Sequence, residues 1–151
     1  MVPIKEAISS GAWLHFSNED ESVQFRLRAI AFRKVDLTEI DNPENIKAID
    51  GNTQWRILEI EVINLSKKNI YSSDGPGKIL LSDHDGYQFT VTYDEHLWRR
   101  SELGKRLGLK RFYFEILIPK TKAVGAIAFL LPDDDEAEYS LSLKNGTVRE
   151  A

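Results

Sequence analysis

The sequence predicts an all-β fold, an antiparallel β-sandwich of about seven to nine strands with one or two short helical loop insertions. Apolar residues recur at every second position in several segments, which is typical of strands with one buried face. Clusters of turn residues separate these segments, and helical patterns are few. The 151 residues match the size of one domain. We therefore predict a single sandwich domain over residues 1–151.

The segment 55–64 is predicted to be a central strand. Its apolar residues alternate with acidic ones: Leu58, Ile60 and Val62 with Glu59 and Glu61. Successive side chains of a strand point to opposite faces, so one face is apolar and the other is charged. This pattern places the strand in the middle of a sheet, with its apolar face toward the core.

Other strands are predicted from the same alternation. They cover residues 12–16, 23–35, 70–71, 112–118, 123–131 and 139–143. Residues 78–93 are predicted to form a hairpin, because Asp85-Gly86 lies between two apolar runs. Between residues 36 and 53 the alternation fails, and Asn42-Pro43 is typical of a helix start. We expect that connection to cross from one sheet to the other.

Within residues 112–118 the alternation predicts one buried face. Its members are Phe112, Phe114, Ile116 and Ile118. The aromatic residues at strand positions are predicted to lie in the core, because burial of a large apolar side chain stabilises a fold by ~1.5 to 3 kcal/mol. They are Trp13, Trp55, Phe25, Phe112, Phe114 and Phe129.

Composition excludes several classes of protein. A hydrophobic share of 42% and a charged share of 29% are those of a globular domain. The net charge of -4 argues against general nucleic-acid binding. No apolar run approaches the ~18 residues of a transmembrane segment. No secretory signal is visible, so we expect a cytoplasmic protein if the chain is complete and an extracytoplasmic one if a signal was removed.

The sequence contains no pattern of catalytic residues, and we predict that the protein is not an enzyme and has no cofactor. The absence of cysteine excludes thiolate chemistry and cysteine-ligated zinc. His15, His84 and His96 lie far apart in the sequence, without the spacing of a zinc site. Neither a Gly-x-Ser-x-Gly elbow nor a phosphate-binding glycine loop is present.

The order of the strand motifs is similar to that of a family of uncharacterised immunoglobulin-like domains found in bacterial and archaeal lipoproteins and secreted proteins. The motifs are Val62-Ile63-Asn64-Leu65-Ser66, Asp85-Gly86-Tyr87, Pro119 and Phe129-Leu130-Leu131-Pro132, and the resemblance covers about residues 23–144. It implies an immunoglobulin-like sandwich that acts as a noncatalytic module. Fold alone does not define a ligand.

The segment 95–111 is the predicted binding surface. It is basic within an acidic protein and contains Trp98, Arg99, Arg100, Lys105 and Arg106. Trp and Arg are enriched among the residues that dominate the binding energy of protein interfaces. We predict that this loop binds a protein partner, although the same residues would also serve to cover one end of the sandwich. Unpaired edge strands leave self-association open as well.

An alternative function is calcium-dependent binding of a carbohydrate or a surface ligand. Two turns are rich in carboxylates, and their candidate ligands are Asp83, Asp85, Asp133, Asp134 and Asp135, with Glu136 next to the last of them. Calcium takes ~6 to 8 oxygen ligands, and carboxylates supply many of them. The competing interpretation is that Asp83 and Asp85 belong to turn chemistry and that the later acids form a solvated loop.

Overall fold

The computed structural model describes residues 1–35, 52–93, 110–112 and 115–151. They form one helix, α1 (Ile4–Ser10), and two short 3-10 turns, Ser72–Asp74 and Pro76–Lys78. The strands are β1 (Val2–Pro3), β2 (Leu14–Asn18), β3 (Gln24–Lys34), β4 (Thr53–Asn64), β5 (Ile70–Tyr71), β6 (Ile79–Ser82), β7 (Gln88–Thr90), β8 (Lys110–Arg111), β9 (Ile116–Leu117), β10 (Lys122–Pro132), β11 (Ser140–Leu143) and β12 (Gly146–Glu150).

These strands make a sandwich. One sheet has the order β12-β2-β3-β4-β10-β8, the other has the order β1-β11-β6-β7, and β5 pairs with β9. Among the described strands every pair is antiparallel except β10 with β8. The predicted fold class is confirmed, and β4 is central because β3 and β10 pair with its two edges.

The core lies between the two larger sheets. Leu58, Ile60 and Val62 of β4 are fully buried in it, as their alternation predicts. Phe129 of β10 belongs to the same core with no exposed surface. Leu141 of β11 packs into it from the opposite sheet. Period-two burial on each sheet therefore supplies most of the apolar contact that holds the layers together.

The outer face of β4 is only partly charged. Glu59 and Glu61 lie there and pair with arginines of β3, at 3.7 Å to Arg33 and 2.8 Å to Arg28. Toward the start of the strand the same face carries Trp55 and Ile57, which are 2% and 0% exposed. The prediction of an apolar and a charged face thus holds for the second half of β4, whereas the first half is buried on both faces.

Two predictions are wrong, one about a connection and one about the buried face of a strand. β3 and β4 are neighbours in one sheet, so the connection over 36–53 does not lead from one sheet to the other; the predicted helix start at Asn42-Pro43 lies outside the described residues. In the segment 112–118, Leu117 is buried while Ile116 and Ile118 are 56% and 58% exposed. The reason is that β9 is a two-residue strand whose orientation is fixed by pairing with β5.

Among the predicted core aromatics, Trp55, Phe25, Phe112 and Phe129 are buried, and Phe114 lies outside the described residues. Trp13 is only half-buried. Its ring lies 5.7 Å from the guanidinium carbon of Arg28, so it belongs to a cation-π contact rather than to the core.

Several elements were not predicted, among them helix α1 and strand β12. Helix α1 closes one end of the sandwich, with Ile4 and Ala7 buried and Gly11 ending it in a left-handed conformation at φ 65°. The spacing of Ile4, Ala7 and Ile8 and the glycine after the last turn are ordinary helix signals. Strand β12 pairs with β2 at the edge of the six-stranded sheet, although its short, half-exposed sequence carries a weak alternation signal.

Candidate ligand-binding site

A cavity of about 350 Å³ opens at the end of the sandwich that α1 covers. Its walls come from α1, from the ends of β3 and β4, and from the loop between β10 and β11. We call it the Arg56 pocket; its central residues are Ile4, Ile8, Phe32, Arg56 and Tyr139. The volume lies at the lower end of the ~300 to 1,000 Å³ that is usual for small-molecule sites.

Arg56 lies at a position of β4 where the alternation predicts an apolar core residue. It lies on the same face of β4 as Leu58 and Ile60, and its side chain is 13% exposed. The guanidinium carbon lies 5.2 Å from the centre of the Phe32 ring. A buried guanidinium ordinarily requires a paired anion and hydrogen bonds to all its donors, because desolvation of a charge is costly.

The partners of Arg56 are weak. Its Nη2 lies 3.8 Å from Oδ1 of Asp135, which is too long for a hydrogen bond, and the Asp135 side chain is 71% exposed. Its Nε is buried without a hydrogen-bond partner among the residues that the structure describes. The Arg56 pocket therefore contains a cation with few hydrogen-bond partners in the part of the chain that the structure describes.

Tyr139 adds a second donor to the Arg56 pocket. The residue is 5% exposed, and its ring makes edge contacts with Phe32 at 6.1 Å and Phe89 at 5.9 Å. Burial raises the pKa of its hydroxyl; nearby Arg56 opposes the rise, and the Asp83 and Asp134 carboxylates add to it. The hydroxyl is thus neutral at physiological pH and is able to donate a hydrogen bond.

Helix α1 supplies the apolar wall and is attached directly to the site. The backbone N–H of Ile4 donates to the carbonyl oxygen of Tyr139 at 2.9 Å. Ile4 is buried and Ile8 is half-buried, because α1 turns one side toward the end of the sandwich. An apolar wall opposite two polar donors is the usual composition of a small-molecule site.

The acidic residues predicted as calcium ligands lie near this end but have other roles. Asp83 Oδ1 accepts the backbone N–H groups of Asp85 and Tyr87, at 2.9 Å and 3.0 Å, which is turn chemistry. Asp134 Oδ1 likewise accepts the N–H of Glu136 at 3.0 Å.

Asp133 and Asp135 lie 3.3 Å and 3.7 Å from Lys34 Nζ. Within residues 1–35, 52–93, 110–112 and 115–151, no three acidic or histidine side chains are grouped as a metal site would need. The calcium alternative therefore gains no support from the geometry of these turns.

The predicted binding loop lies almost entirely outside the described residues. Trp98, Arg99, Arg100, Lys105 and Arg106 fall in the gap between residues 93 and 110, so their role in binding a protein stays a prediction. The last two residues of the segment, Lys110 and Arg111, form β8, which runs parallel to β10. The predicted loop thus ends in an edge strand of the larger sheet.

Sequence reasoning missed Arg56, although a signal exists. On the inner face of β4 the alternation runs Gln54, Arg56, Leu58, Ile60 and Val62. An arginine in register with core positions is unusual, and it marks a buried charge. Tyr139 was predicted only as the first residue of the last strand, and its hydroxyl becomes relevant only beside Arg56.

The architecture places the chain in the class of all-β sandwich proteins. Its fold resembles that of MPT63, a secreted protein from Mycobacterium tuberculosis, with a TM-score of 0.51, 9% sequence identity and coverage of 89% of this chain and 93% of MPT63. No family model matches the sequence, and no match was found among curated proteins. Among the described residues no helix is long and apolar enough to cross a membrane.

Proposed function

We propose that the protein is a noncatalytic binding module and that its ligand is an organic carboxylate with an apolar body, bound in the Arg56 pocket. The observation that carries this proposal is the Arg56 side chain, which is 13% exposed. Its Nε is buried without a partner among the described residues, and the nearest carboxylate among them is 3.8 Å away. The resemblance to immunoglobulin-like modules supports a binding role rather than catalysis.

The chemistry of the pocket favours a carboxylate. An arginine fork binds a carboxylate through two parallel charge-assisted hydrogen bonds. Tyr139 offers a further neutral donor from the wall of the same cavity. A ligand anion would thus satisfy donors that otherwise remain unused in a partly desolvated site, where each such bond is stronger than in water.

The apolar walls define the rest of the ligand. Ile4, Ile8 and Phe32 line the cavity, and burial of a hydrocarbon body against them is favourable. The loop between β10 and β11 limits how much negative charge the ligand can carry, because Asp135, Glu136 and Glu138 of this loop also line the cavity. A ligand with one carboxylate and an apolar tail fits this balance better than a polyanion.

The test is a calorimetric titration with octanoate, with neutral 1-octanol as the comparison ligand. Octanoate is expected to bind more tightly than octanol. Arg56→Gln should weaken octanoate binding by about ten-fold or more, because a hydrogen bond to a charged group contributes roughly 1.5 to 3 kcal/mol. The control Arg28→Gln changes an arginine of the outer face and should leave binding unchanged.

Asp135→Asn keeps the test informative if Arg56→Gln fails to fold. Asp135 is exposed and competes for the guanidinium, so its neutralisation should tighten octanoate binding several-fold without disturbing the core. The proposal is wrong if octanoate and octanol bind equally, or if neither folded variant changes the affinity for octanoate.

A further inference from the structure

A second concave surface lies at the opposite end of the sandwich. It encloses about 540 Å³ between the β2–β3 turn, the segment 68–78 and the residues after β11. Three lysines line it, Lys68, Lys78 and Lys144, and we call it the lysine groove. They come from three separate parts of the chain, so the concentration of charge is produced by the fold rather than by a basic run in the sequence.

The lysines of the groove are not neutralised. Each is exposed, and none forms an ion pair with a carboxylate among the described residues. Asp74 is the one acidic residue among those lining the groove. Asp20 lies beside the groove, because its carboxylate accepts a hydrogen bond from the hydroxyl of the lining Ser22 at 2.6 Å. Three lysines against the carboxylates of Asp74 and Asp20 leave a local excess of positive charge within a chain whose net charge is -4. Such a concave patch attracts anions.

Hydrogen bonds fix the backbone at each lysine. The N–H of Lys144 donates to the carbonyl oxygen of Lys78 at 2.9 Å, and the N–H of Lys78 donates to that of Gly75 at 2.9 Å. The carbonyl oxygen of Lys68 accepts a hydrogen bond from the buried Asn64 side chain at 3.0 Å. The backbone that carries the three lysines is thus fixed, while their exposed side chains keep their rotamer freedom.

The space beside Gly75 is tight. A Cβ at this position would lie 3.1 Å from Cδ1 of Ile70, and Ile70 is buried at the base of the groove. Beside it, Tyr71 is 57% exposed and belongs to the wall of the groove. An exposed ring next to the lysines provides a surface on which an organic part of a ligand can pack.

From this arrangement we infer that the lysine groove is a second ligand site, which binds a phosphorylated compound through Lys68, Lys78 and Lys144. Lysine ammonium groups bind phosphate oxygens as point charges, and several converging lysines suit a ligand with more than one negative charge. The site is distinct from the Arg56 pocket in place and in ligand chemistry.

The first experiment is a calorimetric titration of the full chain with inorganic pyrophosphate. The triple variant Lys68→Gln, Lys78→Gln and Lys144→Gln should weaken binding by about ten-fold or more, the summed effect of three exposed charge contacts. A control triple variant, Lys67→Gln, Lys120→Gln and Arg149→Gln, removes the same charge outside the groove and should retain most of the affinity. Asp74→Asn should tighten binding.

A second arm asks whether the phosphate belongs to a soluble compound or to a lipid headgroup. Sedimentation with vesicles of phosphatidylcholine plus phosphatidic acid, compared with phosphatidylcholine alone, identifies a headgroup if binding needs the acidic lipid and is lost in the groove variant. If the groove variant loses affinity for pyrophosphate and the parent protein does not bind the acidic vesicles, the ligand is a soluble compound.

Absence of binding in both arms overturns the inference. So does equal weakening in the two triple variants, because the effect would then be one of net charge. Arg56→Gln should leave pyrophosphate binding unchanged, so failure of the lysine groove is distinguishable from failure of the Arg56 pocket.

Discussion

The side-chain amide of Asn64 donates a hydrogen bond to the carbonyl oxygen of Leu117 at 2.8 Å, and both residues are buried. The same amide donates to the carbonyl oxygen of Lys68 at 3.0 Å, while its Oδ1 accepts the backbone N–H of Ser66 at 2.8 Å. One side chain therefore joins the end of β4 to β9 and to the loop that leads to the lysine groove.

Loss of this junction should be strongly destabilising. Asn64→Ala leaves the buried carbonyl group of Leu117, the partly buried one of Lys68 and the N–H of Ser66 without their partner. We expect it to lower the free energy of unfolding by about 2 to 4 kcal/mol. Urea denaturation followed by circular dichroism measures the change. The control Asn69→Ala, at an exposed position nearby, should change it by less than about 0.5 kcal/mol. Equal stability of the two variants would contradict the role of Asn64.

The two faces of the large sheet can be tested with two aromatic residues. Phe129 is fully buried in the inner core and Trp55 is 2% exposed on the outer face. Phe129→Ala and Trp55→Ala should each lower the free energy of unfolding by about 3 to 5 kcal/mol, because each leaves a cavity. An unchanged melting temperature in either variant would show that the corresponding face is not packed as described.

The start of β12 has no room for a side chain. A Cβ on Gly146 would clash with the carbonyl oxygen of Ser17 and would lie 2.8 Å from Cδ2 of Leu143. Gly146→Ala should therefore force β12 away from β2 and lower the free energy of unfolding by about 1 to 3 kcal/mol. Thermal denaturation measures the loss, and hydrogen exchange should locate it in β12.

Gly86→Ala is a suitable comparison, because Gly86 has open space around it but a φ of 86°. Its cost should be limited to backbone strain of about 1 to 2 kcal/mol and should leave hydrogen exchange in β12 unchanged. Increased exchange in β12 of Gly86→Ala, or none in Gly146→Ala, would contradict the steric explanation.

The raised pKa of the Tyr139 hydroxyl predicts that the protein loses stability at alkaline pH. Burial raises the pKa of its hydroxyl above the ordinary value of 10.0, so the folded state retains the proton more strongly than the unfolded chain. Its contribution is fully present below pH 10 and decreases as the pH rises from there through the folded-state pKa. Urea denaturation between pH 8 and 11 should show a smaller decrease for Tyr139→Phe than for the parent protein.

The control for this measurement is Tyr87→Phe, because Tyr87 is 69% exposed. Its stability should depend on pH as that of the parent protein does. If Tyr139→Phe shows the same alkaline decrease as Tyr87→Phe, the hydroxyl of Tyr139 does not carry the effect.

Apolar residues at every second position predicted the long strands, because each of these strands buries one face. β3, β4 and β10 are long enough for the alternation of Leu58, Ile60 and Val62 to be unmistakable, and the turn at Asp85-Gly86 lies within a hairpin, as predicted. The alternation gave a wrong prediction at β9, because a strand of two residues is too short to show a period. Ile116 and Ile118 fit the predicted pattern but are exposed. There the partner strand β5 decides which side chain faces inward.

The sites were less predictable than the fold. The basic loop and the acidic turns are conspicuous in the sequence because they are continuous. Arg56 is a single residue in an apolar strand, whereas Tyr139 directly precedes β11, and the two are 83 residues apart in numbering (139 minus 56). Lys68, Lys78 and Lys144 are equally inconspicuous. Each set becomes a site only where separate segments meet.

The sequence by itself determined the all-β class, the central place of β4 and most of the apolar core, since these depend on local alternation and on burial of apolar surface. Only the tertiary structure decided that α1 closes one end, that the connection after β3 returns to the same sheet, and that Arg56 and the three lysines line separate cavities. These features depend on contacts between distant segments, and a local pattern does not specify which distant segment a side chain meets.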